Sequence, residues 1–493
     1  MASLDELRAE RVEKLARLRA AGYNPYPIET QCDITLGNLI KRFATLTKRQ
    51  KPLTVAGRVM GVRHQGALAF LDLNDGTGQL QVLLKQEIIG EKNFNLFVET
   101  IDRGDFITAT GSVGITKRQE PTLFAESWLP LVKTLRPLPD KWHGLTDVEE
   151  RFRRRYLDSL MDEAIRQRFF ARSTIITALR AALDQANYLE VETPILQPLY
   201  GGASAIPFKT HHEALDLPLY LRISPELYLK RMLVGNFPRV YEISRCFRNE
   251  GIDATHNPEF TMLEFYEAYS DAPKQRVFVE DLIKKLVQKI TKEKHLTYDN
   301  QLLNFKEPFK VITYYDLLKR QALITNPESI DLKELMIKAN QFGVTLPTGA
   351  SRETVMDYIY KKVCRPKIIQ PTFIIDYPKN ALPLTKIHAT NPALVDAFQL
   401  VIGGLEIAKA FSELNDPLDQ AERFTAQESA KNGGDKEAQI KDQDFLEALE
   451  YGMPPAGGVG IGIDRLVMLL TNTTNIREVI YFPTLKPKKH LTG

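Results

Sequence analysis

Residues 239–266 read RVYEISRCFRNEGIDATHNPEFTMLEFY and contain two alternating segments on either side of a polar loop. Over 239–250, and again over 260–266, alternate residues share one character, which is typical of β-strands with two different faces. The loop at 251–259 keeps the two segments close in sequence, so they can pair as antiparallel neighbours. The sequence therefore predicts an antiparallel sheet in this part of the chain.

One face of this predicted strand pair is rich in polar groups. It carries Arg248, Glu250, Phe260, Glu264 and Tyr266. Charged side chains are rarely buried without partners, so the face is too polar for a hydrophobic core. Two interpretations remain open: a solvated face crossed by ion pairs, or a binding site in which acids and aromatic rings surround one arginine.

A glycine-rich segment lies near the C-terminus. Residues 457–465 read GGVGIGIDR and precede an apolar helical stretch at 466–470. The glycine spacing differs from the dinucleotide-binding fingerprint, and no parallel sheet is evident around it. Small residues instead allow a backbone to approach a ligand closely, and a helix start would present Arg465 to that ligand.

The front of the chain has a different character, with short strands separated by turns. Five strands with one short helix, at 94–100, between the third and fourth are typical of an OB-fold barrel, which often binds single-stranded nucleic acid. The first 142 residues contain 20 Lys and Arg against 16 Asp and Glu, which weakly favours a polyanionic partner. The predicted strands are 53–63, 67–73, 79–84, 106–115 and 123–128.

Two polar-face residues of this barrel are candidates for contact with an unpaired base. Alternation places Phe70 on the wet face of its strand, and Gln81 on the wet face of the next. An aromatic ring and an amide can stack on a base and hydrogen-bond to it. An isolated surface phenylalanine is the alternative.

The N-terminus predicts an amphipathic helix from Ser3 to about Ala20. Ser3 and Glu6 have the spacing of a capping box. The polar face of this helix meets either RNA or solvent. It carries Arg8, Arg11, Lys14, Arg17 and Arg19.

Residues 135–142, with Pro137 and Pro139, predict a linker between domains 1–142 and 143–493. The second part begins helical, at 147–186, and then mixes helices and strands without a βαβ rhythm. This order favours an α+β domain on an antiparallel sheet. Residues 426–443 are polar and predict a surface loop or a helix pair.

Composition excludes several classes of protein. No run approaches the roughly 20 apolar residues of a membrane helix, and the charged N-terminus differs from a secretory signal. The three cysteines are scattered, which argues against a disulfide scaffold or a cysteine zinc site and suits the reducing cytoplasm.

Several motifs together resemble class II aminoacyl-tRNA synthetases. YLEVETP at 188–194 resembles motif 1 (about 166–195), and FRNEG at 247–251 with HNPEFTMLE at 256–264 resembles motif 2 (about 239–268). GIGIDR at 460–465 resembles motif 3 (about 457–470). The resemblance narrows to the class II lysyl-tRNA synthetases of bacterial type and covers nearly the whole chain. The segments that narrow it are DKWHGL at 140–145, GGASA at 201–205 and FSELNDP at 411–417.

The resemblance implies a lysine–tRNA ligase. Such an enzyme activates L-lysine with ATP to lysyl-adenylate and transfers the lysyl group to the 3′ end of tRNA(Lys). It also implies Mg²⁺ accompanying ATP, no zinc, no membrane, a cytoplasmic location and a homodimer formed through motif 1.

The resemblance also assigns residues to roles. Arg248 and Arg465 are the catalytic arginines; Arg248 clamps the lysine carboxylate and the α-phosphate, while Arg465 and Phe260 enclose the adenine. The lysine site comprises Gly202, Glu226, Arg248, Glu264, Tyr266, Lys409 and Glu413. The ATP site comprises Arg248, Glu250, His256, Phe260, Glu406 and Arg465. The Mg²⁺ ligands are Glu406 and Gln399, and the anticodon readers are Arg63, Phe70, Gln81 and Glu120.

Two positions depart from the family pattern. A carboxylate is usual where this chain has Gln399, and an amide oxygen is a weaker ligand for a hard dication. An asparagine is usual where this chain has Lys409, which either repels the substrate ammonium or pairs with its carboxylate or with phosphate. Simple alternation also places Glu406 and Glu413 on opposite strand faces, so the family assignment needs a bulge or a two-sided site.

Two other functions compete with a working synthetase. A paralogue that lysylates a protein, like the elongation-factor P lysyltransferases, would resemble the catalytic half alone, and the OB-fold opposes it. A non-catalytic tRNA-binding paralogue is suggested by Gln399 and Lys409. The residues that oppose it are Arg248, Glu250, Glu264, Tyr266, Glu413 and Arg465.

Overall fold

The computed structural model of the chain describes residues 3–139, 145–347, 349–432 and 440–488. The chain forms two compact units, Met1–Leu145 and Thr146–Gly493. The boundary predicted at 142–143 and most of the DKWHGL segment lie outside the described residues. No helix within the described ranges is long and apolar enough to cross a bilayer.

The N-terminal unit is a closed five-stranded barrel with helices around it. Its elements are α1 (Leu4–Ala20), α2 (Leu36–Lys41), α3 (Phe43–Arg49), β1 (Leu53–Gln65), β2 (Leu68–Asn74), β3 (Gln79–Lys85), α4 (Gln86–Ile89), α5 (Glu91–Thr100), β4 (Phe106–Ile115) and β5 (Pro121–Val132). The barrel order is β1-β2-β3-β5-β4, and pairing of β1 with β4 closes it. The predicted OB-fold is therefore confirmed; the helix predicted at 94–100 belongs to α5, and a second short helix, α4, precedes it.

Helix α1 is fastened to this barrel by two of its basic residues. The predicted capping box is present: Glu6 N–H donates to Ser3 Oγ, and Ser3 N–H donates to Glu6 Oε2. Arg11 is buried and donates to Arg103 O, and Lys14 Nζ lies 2.7 Å from Asp102 Oδ1. The prediction that the whole basic face meets RNA or solvent was wrong for these two, because long cationic side chains can bury their stems and bond to carbonyls and acids. The residues left exposed on that face are Arg8, Arg17 and Arg19.

The C-terminal unit is built on one large sheet. Its strands are β6 (Leu189–Glu190), β7 (Leu196–Gln197), β8 (Lys209–His212), β9 (Leu217–Leu221), β10 (Arg239–Phe247), β11 (Glu259–Ala268), β12 (His295–Tyr298), β13 (Gln301–Asn304), β14 (Lys310–Thr313), β15 (Thr372–Pro378), β16 (Ile387–His388), β17 (Asn391–Ile402), β18 (Leu405–Ser412) and β19 (Ala456–Gly462). The order of the large sheet is β14-β15-β17-β18-β19-β11-β10-β6, with β16 paired to β17; β12 and β13 form a separate pair, and β7, β9 and β8 form a separate small sheet. The sheet is antiparallel as predicted, except that its two end pairs are parallel.

Helices surround this sheet. They are α6 (Val148–Arg153), α7 (Arg155–Met161), α8 (Glu163–Gln185), α9 (Glu226–Val234), α10 (Ala272–Thr291), α11 (Tyr314–Ala322), α12 (Leu332–Gln341), α13 (Arg352–Ile359), α14 (Pro417–Asn432), α15 (Gln443–Glu450) and α16 (Ile463–Leu470). Residues of α8, α10 and α16 share one hydrophobic core with Phe265, Val459 and Leu400 of the sheet. The site residues lie on the opposite face, which also has apolar packing of its own at Val240 and Val401.

The hairpin of β10 and β11 has the predicted antiparallel register. Glu242 lies opposite Glu264, and Cys246 lies opposite Phe260. The first strand ends at Phe247, whereas the sequence predicted that it would continue to residue 250. Arg248 still bonds through its N–H to Pro258 O at 2.8 Å. Glu250 lies beyond the strand and is exposed, so its predicted place on the shared strand face was wrong.

Strand pairing aligns a row of site residues across the sheet. Glu264 lies opposite Gly460, Gly460 opposite Lys409, and Lys409 opposite Gln399. Residues paired directly across antiparallel strands share one face. The glycine-rich segment predicted to approach a ligand is thus the central strand β19, and Arg465 follows it in the first turn of α16 as predicted.

Candidate active site

The centre of the polar face is occupied by Glu264. Its Oε1 accepts a hydrogen bond from Ser224 Oγ at 2.7 Å, and its Oε2 accepts one from Tyr266 Oη at 2.9 Å. Only 4% of Glu264 is exposed. Burial, followed by repulsion from Glu226, raises the pKa of Glu264 to about 7. This carboxyl is therefore poised to ionise near neutral pH when a cation approaches.

A buried lysine that sequence analysis missed lies beside it. Lys230 Nζ lies 2.7 Å from Glu226 Oε1 and 2.5 Å from Glu413 Oε2, and the side chain is fully buried. Burial disfavours its charged form, but Glu226 and Glu413 raise its pKa above the ordinary value. A signal was available, because Glu226 and Lys230 are four residues apart at the start of a helix, the spacing of a helical ion pair. We call Glu226, Lys230, Glu264 and Glu413 the acidic cluster.

One carboxylate oxygen of Glu413 has no protein partner among the described residues. Glu413 is 1% exposed, and its Oε1 has no hydrogen-bond partner among the described residues. Burial, with repulsion from Glu226 and Glu264, raises its pKa to about 8 against the opposing effect of Lys230. An unpartnered carboxylate oxygen in a buried site is costly. The arrangement therefore fits a ligand ammonium at this oxygen.

Glycines allow the cluster to form. A Cβ at Gly458 would lie 2.1 Å from Glu413 Oε1 and 2.4 Å from Tyr266 Cε1. A Cβ at Gly202, whose φ is +82°, would lie 2.9 Å from Glu226 Cβ. At Gly460 the nearest atom would be 3.9 Å away, so space remains between Glu264 and the next strand.

Beyond this space lie the arginines predicted to be catalytic. The Cζ of Arg248 lies 5.0 Å from the centroid of the Phe260 ring, and its Nε is buried without a hydrogen-bond partner in the described structure. Arg465 Nη2 lies 2.9 Å from His256 Nε2. Burial, followed by the charge of Arg465, lowers the pKa of His256.

The tautomer of His256 follows from these contacts. An arginine can only donate, so Nε2 of His256 accepts and the ring is neutral. The proton is then on Nδ1, which lies 2.9 Å from Asp253 Oδ1 and Oδ2. Asp253 and His256 thus form an oriented pair that steadies Arg465 at the edge of the site.

The strand β18 contains a bulge, one of the two arrangements that the family assignment allows. Leu400 lies opposite Ala408, but Val401 lies opposite Glu406, so one extra residue, Ile407, is inserted in β18. The insertion returns Glu406 to the face of Lys409 and Glu413. Alternation alone placed it on the other face; the structure resolves the conflict by the bulge.

The two predicted metal ligands already have protein partners. Gln399 Oε1 accepts a hydrogen bond from Tyr360 Oη at 2.7 Å, and Glu406 Oε2 lies 3.4 Å from Arg365 Nη1. Burial raises the pKa of Glu406, but the positive charges around it lower the pKa further, so the net shift is downward. The charges responsible belong to Arg365, Arg465, Lys409 and Lys361.

The anticodon candidates lie together on the N-terminal unit. Arg63 is opposite Phe70, and Asp72 is opposite Gln81, so the three candidates share the half-exposed outer face of β1, β2 and β3. Gln81 Oε1 accepts from Thr122 Oγ1 at 2.9 Å. Glu120 is exposed just before β5. Strand pairing therefore brings Arg63 to the two residues that alternation had selected.

Matches to known families place this sheet and barrel among the class II aminoacyl-tRNA synthetases. Residues 147–486 match the family of class II tRNA synthetases for D, K and N, and residues 53–131 match the OB-fold nucleic acid binding domain.

Known relatives narrow the class to one amino acid. The lysine–tRNA ligase of Roseiflexus castenholzii is 46% identical over 489 residues, which are 99% of this chain and 100% of the relative. That of Carboxydothermus hydrogenoformans is 45% identical over 98% of this chain and 99% of its own length. That of Aquifex aeolicus is 47% identical over 89% of this chain and 74% of its own length. The chain belongs to the class II lysyl-tRNA synthetase family.

The crowding at Gly458 gives a testable prediction. We expect Gly458→Ala to lower the free energy of unfolding by about 3 kcal/mol, because the added methyl must displace two buried side chains. Gly460→Ala on the same strand is the matched control and should cost less than about 1 kcal/mol, since its Cβ has space. Urea denaturation followed by circular dichroism measures both. Equal losses in the two variants would mean that the crowding has no energetic role.

Proposed function

We propose that this chain activates L-lysine with ATP to lysyl-adenylate and transfers the lysyl group to the 3′ end of tRNA(Lys). The observation that carries the proposal is the acidic cluster, which buries three carboxylates with one ammonium: Glu226 and Glu413 pair with Lys230, while Glu264 is bonded to Ser224 and Tyr266. It lies on the same sheet face as the arginines that suit a nucleotide phosphate.

The charge count of the cluster supports lysine as the substrate. With all its groups ionised, the cluster has two more negative charges than positive ones, and a lysine molecule brings two ammonium groups. We assign the α-amino group to Glu226 and the ε-ammonium to Glu264, Tyr266 and Glu413. A neutral or shorter side chain would leave buried carboxylates unpaired, which polar sites penalise strongly.

The activation step needs no side-chain nucleophile. A carboxylate oxygen of lysine attacks the α-phosphorus, the bond from that phosphorus to the bridging oxygen breaks, and the electron pair leaves with pyrophosphate. Arg248 binds the carboxylate and the α-phosphate together, which its forked donors suit. Phe260 and Arg465 enclose the adenine, with His256 and Glu250 near the nucleotide. Catalysis then rests on positioning and on charge neutralisation.

The second step transfers the lysyl group. A hydroxyl at the 3′ end of tRNA attacks the carbonyl carbon of the adenylate, and AMP leaves with the electron pair of the broken bond. The N-terminal domain, predicted at 1–142, would hold the anticodon through Arg63, Phe70, Gln81 and Glu120. The half-exposed ring of Phe70, flanked by Arg63 across the strand pair, supports this role.

Magnesium enters this proposal with ATP, as part of the substrate. Glu406 and Gln399 do not fit the role of protein ligands to the ion, since one is paired with Arg365 and the other accepts from Tyr360. No step is therefore assigned to a metal held by these residues.

We also propose a cytoplasmic homodimer. Apolar side chains are exposed around motif 1, where a partner subunit would cover them. The three thiols are free, which suits a reducing compartment. The exposed apolar residues near motif 1 are Phe170, Leu189, Ile195 and Leu196.

Glu264→Gln and Glu413→Gln test the substrate assignment. Each variant loses one charge that meets the ammonium, so we expect the Kd for lysine to rise about 10–150-fold, the range of hydrogen bonds to charged groups. The Kd for ATP should change less than about threefold, because the nucleotide contacts are untouched. Isothermal titration calorimetry with each ligand separately measures both constants.

The matched control for these variants is Glu259→Gln. Glu259 lies on the same strand as Glu264, on the opposite sheet face, and pairs with Arg245. The Glu259→Gln variant should leave the Kd for lysine unchanged. Wild-type affinity for lysine in Glu264→Gln would remove Glu264 from the proposed role.

The raised pKa values of Glu264 and Glu413 predict pH-dependent binding. Lysine binds the ionised carboxylates, whose pKa values are about 7 and about 8 in the free protein. The Kd for lysine should therefore fall as pH rises from 6 to 8, by up to about tenfold per pH unit per titrating group. Binding at pH 7 should release protons, measurable by calorimetry in buffers of different ionisation enthalpy. A flat profile with no proton release would exclude this coupling.

Phe70→Ala tests the anticodon assignment. Loss of one stacking ring should weaken tRNA(Lys) binding by about 1–3 kcal/mol, the range for one base. Lysine-dependent ATP–pyrophosphate exchange, which needs no tRNA, should be unchanged. A filter-binding titration measures the affinity, and Phe70→Tyr, which keeps a ring, is the control. Equal tRNA affinity in Phe70→Ala and wild type would rule out stacking at this position.

A further inference from the structure

The polar sheet face carries two kinds of charge. Glu264 of β11 and Glu413, which directly follows β18, belong to the acidic cluster. At the other end of β18, Arg365 Nη1 lies 3.4 Å from Glu406 Oε2, and Arg465 Nη1 lies 3.5 Å from Glu406 O. The nearby Lys361 is instead paired with Asp357, at 2.6 Å. This side of the site, around Glu406, therefore suits an anion better than a second cation.

A divalent metal would find few ligands here. Mg²⁺ requires oxygen ligands in near-octahedral geometry and is usually held through one or two ionised carboxylates. Glu406 Oε2 already has the Arg365 guanidinium at 3.4 Å, and that charge repels a dication. Gln399 offers a neutral oxygen that accepts from Tyr360.

Two cationic side chains near Glu406 have donors without a hydrogen-bond partner in the described structure. The side chain of Lys409 makes no ion pair or hydrogen bond among the described residues. Its Nζ lies 5.3 Å from the centroid of the Phe411 ring. Strand pairing points it to the sheet face beside Gly460, where the nearest atom to an added Cβ would be 3.9 Å away. Arg365 Nε is buried without a hydrogen-bond partner in the described structure. Arg365 and Arg465 both approach Glu406, at 3.4 and 3.5 Å, and Lys409 is three residues further along the same strand.

We propose that Arg365 and Lys409 bind the triphosphate of ATP directly, and that this protein contributes no ligand to a metal ion. The proposal rests on the proposed function, since it takes ATP as the substrate. Guanidinium and ammonium groups form strong charge-assisted bonds to phosphate oxygens. Any Mg²⁺ that accompanies ATP is then coordinated by phosphate and water alone.

ATP binding with and without metal is the first test. Titration calorimetry of the full chain with ATP, in EDTA and in excess Mg²⁺, should give Kd values within about fivefold of each other, because protein cations supply the neutralising charge. Lys409→Gln should raise the Kd in EDTA by about tenfold or more, the loss of one hydrogen bond to a charged group. Lys409→Arg should restore binding, which separates loss of charge from misfolding.

Lys362→Gln is the matched control for this loss of charge. Lys362 is exposed and lies in the same π-helical turn as Lys361, close in sequence to Arg365. It should change the Kd in EDTA by less than about twofold, as expected of a solvated charge. Wild-type protein that binds ATP only with Mg²⁺, or a Lys409→Gln variant that binds it normally, would overturn the proposal.

Manganese binding is the second test. Electron paramagnetic resonance of Mn²⁺ added to nucleotide-free protein should show a Kd above about 1 mM, unchanged by Glu406→Gln, since a single paired carboxylate is a poor site. The double variant Arg365→Gln with Gln399→Glu removes the repelling charge and adds a carboxylate, so it should bind Mn²⁺ more tightly. Tight Mn²⁺ binding by the wild type that Glu406→Gln abolishes would contradict the proposal.

The two proposals fail separately. Lysine-dependent exchange together with strictly metal-dependent ATP binding would sink this inference and leave the enzyme assignment intact. ATP binding in EDTA that depends on Lys409, without exchange at any Mg²⁺ concentration, would support the inference and sink the proposed function.

Discussion

Three carboxylates are buried close together in the active site: those of Glu226 and Glu413 pair with the ammonium of Lys230, and that of Glu264 accepts from Ser224 and Tyr266. Burial of unbalanced charge disfavours the ionised form of a carboxyl, and it is the main reason why the pKa values of Glu264 and Glu413 are raised. Both values lie above the ordinary 4.5, so these carboxyls reduce the stability of the fold as pH rises from about 4.5 through 7 and 8. A ligand cation at the same place removes the penalty, which couples the stability of the site to its selectivity.

The remainder of the C-terminal unit serves to hold that cluster. Helices α8, α10 and α16 fill one face of the sheet with apolar side chains, and the site residues lie on the other face. Gly458 leaves room for Glu413 and Tyr266 above the central strand. The extra residue in β18 brings Glu406 to the same face. Buried Asp464, bonded to Arg172 and to the Thr261 N–H, fixes the start of α16 and hence the backbone position of Arg465.

Local patterns predicted those parts of the structure that are local. Alternation found the barrel strands and the shared face of Glu264 and Tyr266, but it placed Glu406 on the wrong face and left a bulge or a two-sided site as the alternatives. It missed partners that are distant in the chain: Tyr360 meets Gln399 across 39 residues and Arg365 meets Glu406 across 41. Periodicity contains no information on such pairs, since they depend on how a π-helical turn packs against the sheet. Lys230 is a different case. Its spacing from Glu226 could have predicted a helical ion pair, but the sequence did not indicate that the pair is buried.

The acidic cluster should accept only an amino acid with a long cationic side chain. The rate of ATP–pyrophosphate exchange by the wild-type enzyme with different amino acids measures this selectivity most directly. Lysine, ornithine, arginine and norleucine differ in the length, shape or charge of the side chain while keeping the α-amino and carboxylate groups. We expect exchange with lysine at least about a thousandfold faster than with norleucine, which leaves the carboxylates unpaired, and slower exchange with ornithine and arginine. Comparable exchange with norleucine, or none with lysine in protein that binds ATP, would contradict the account.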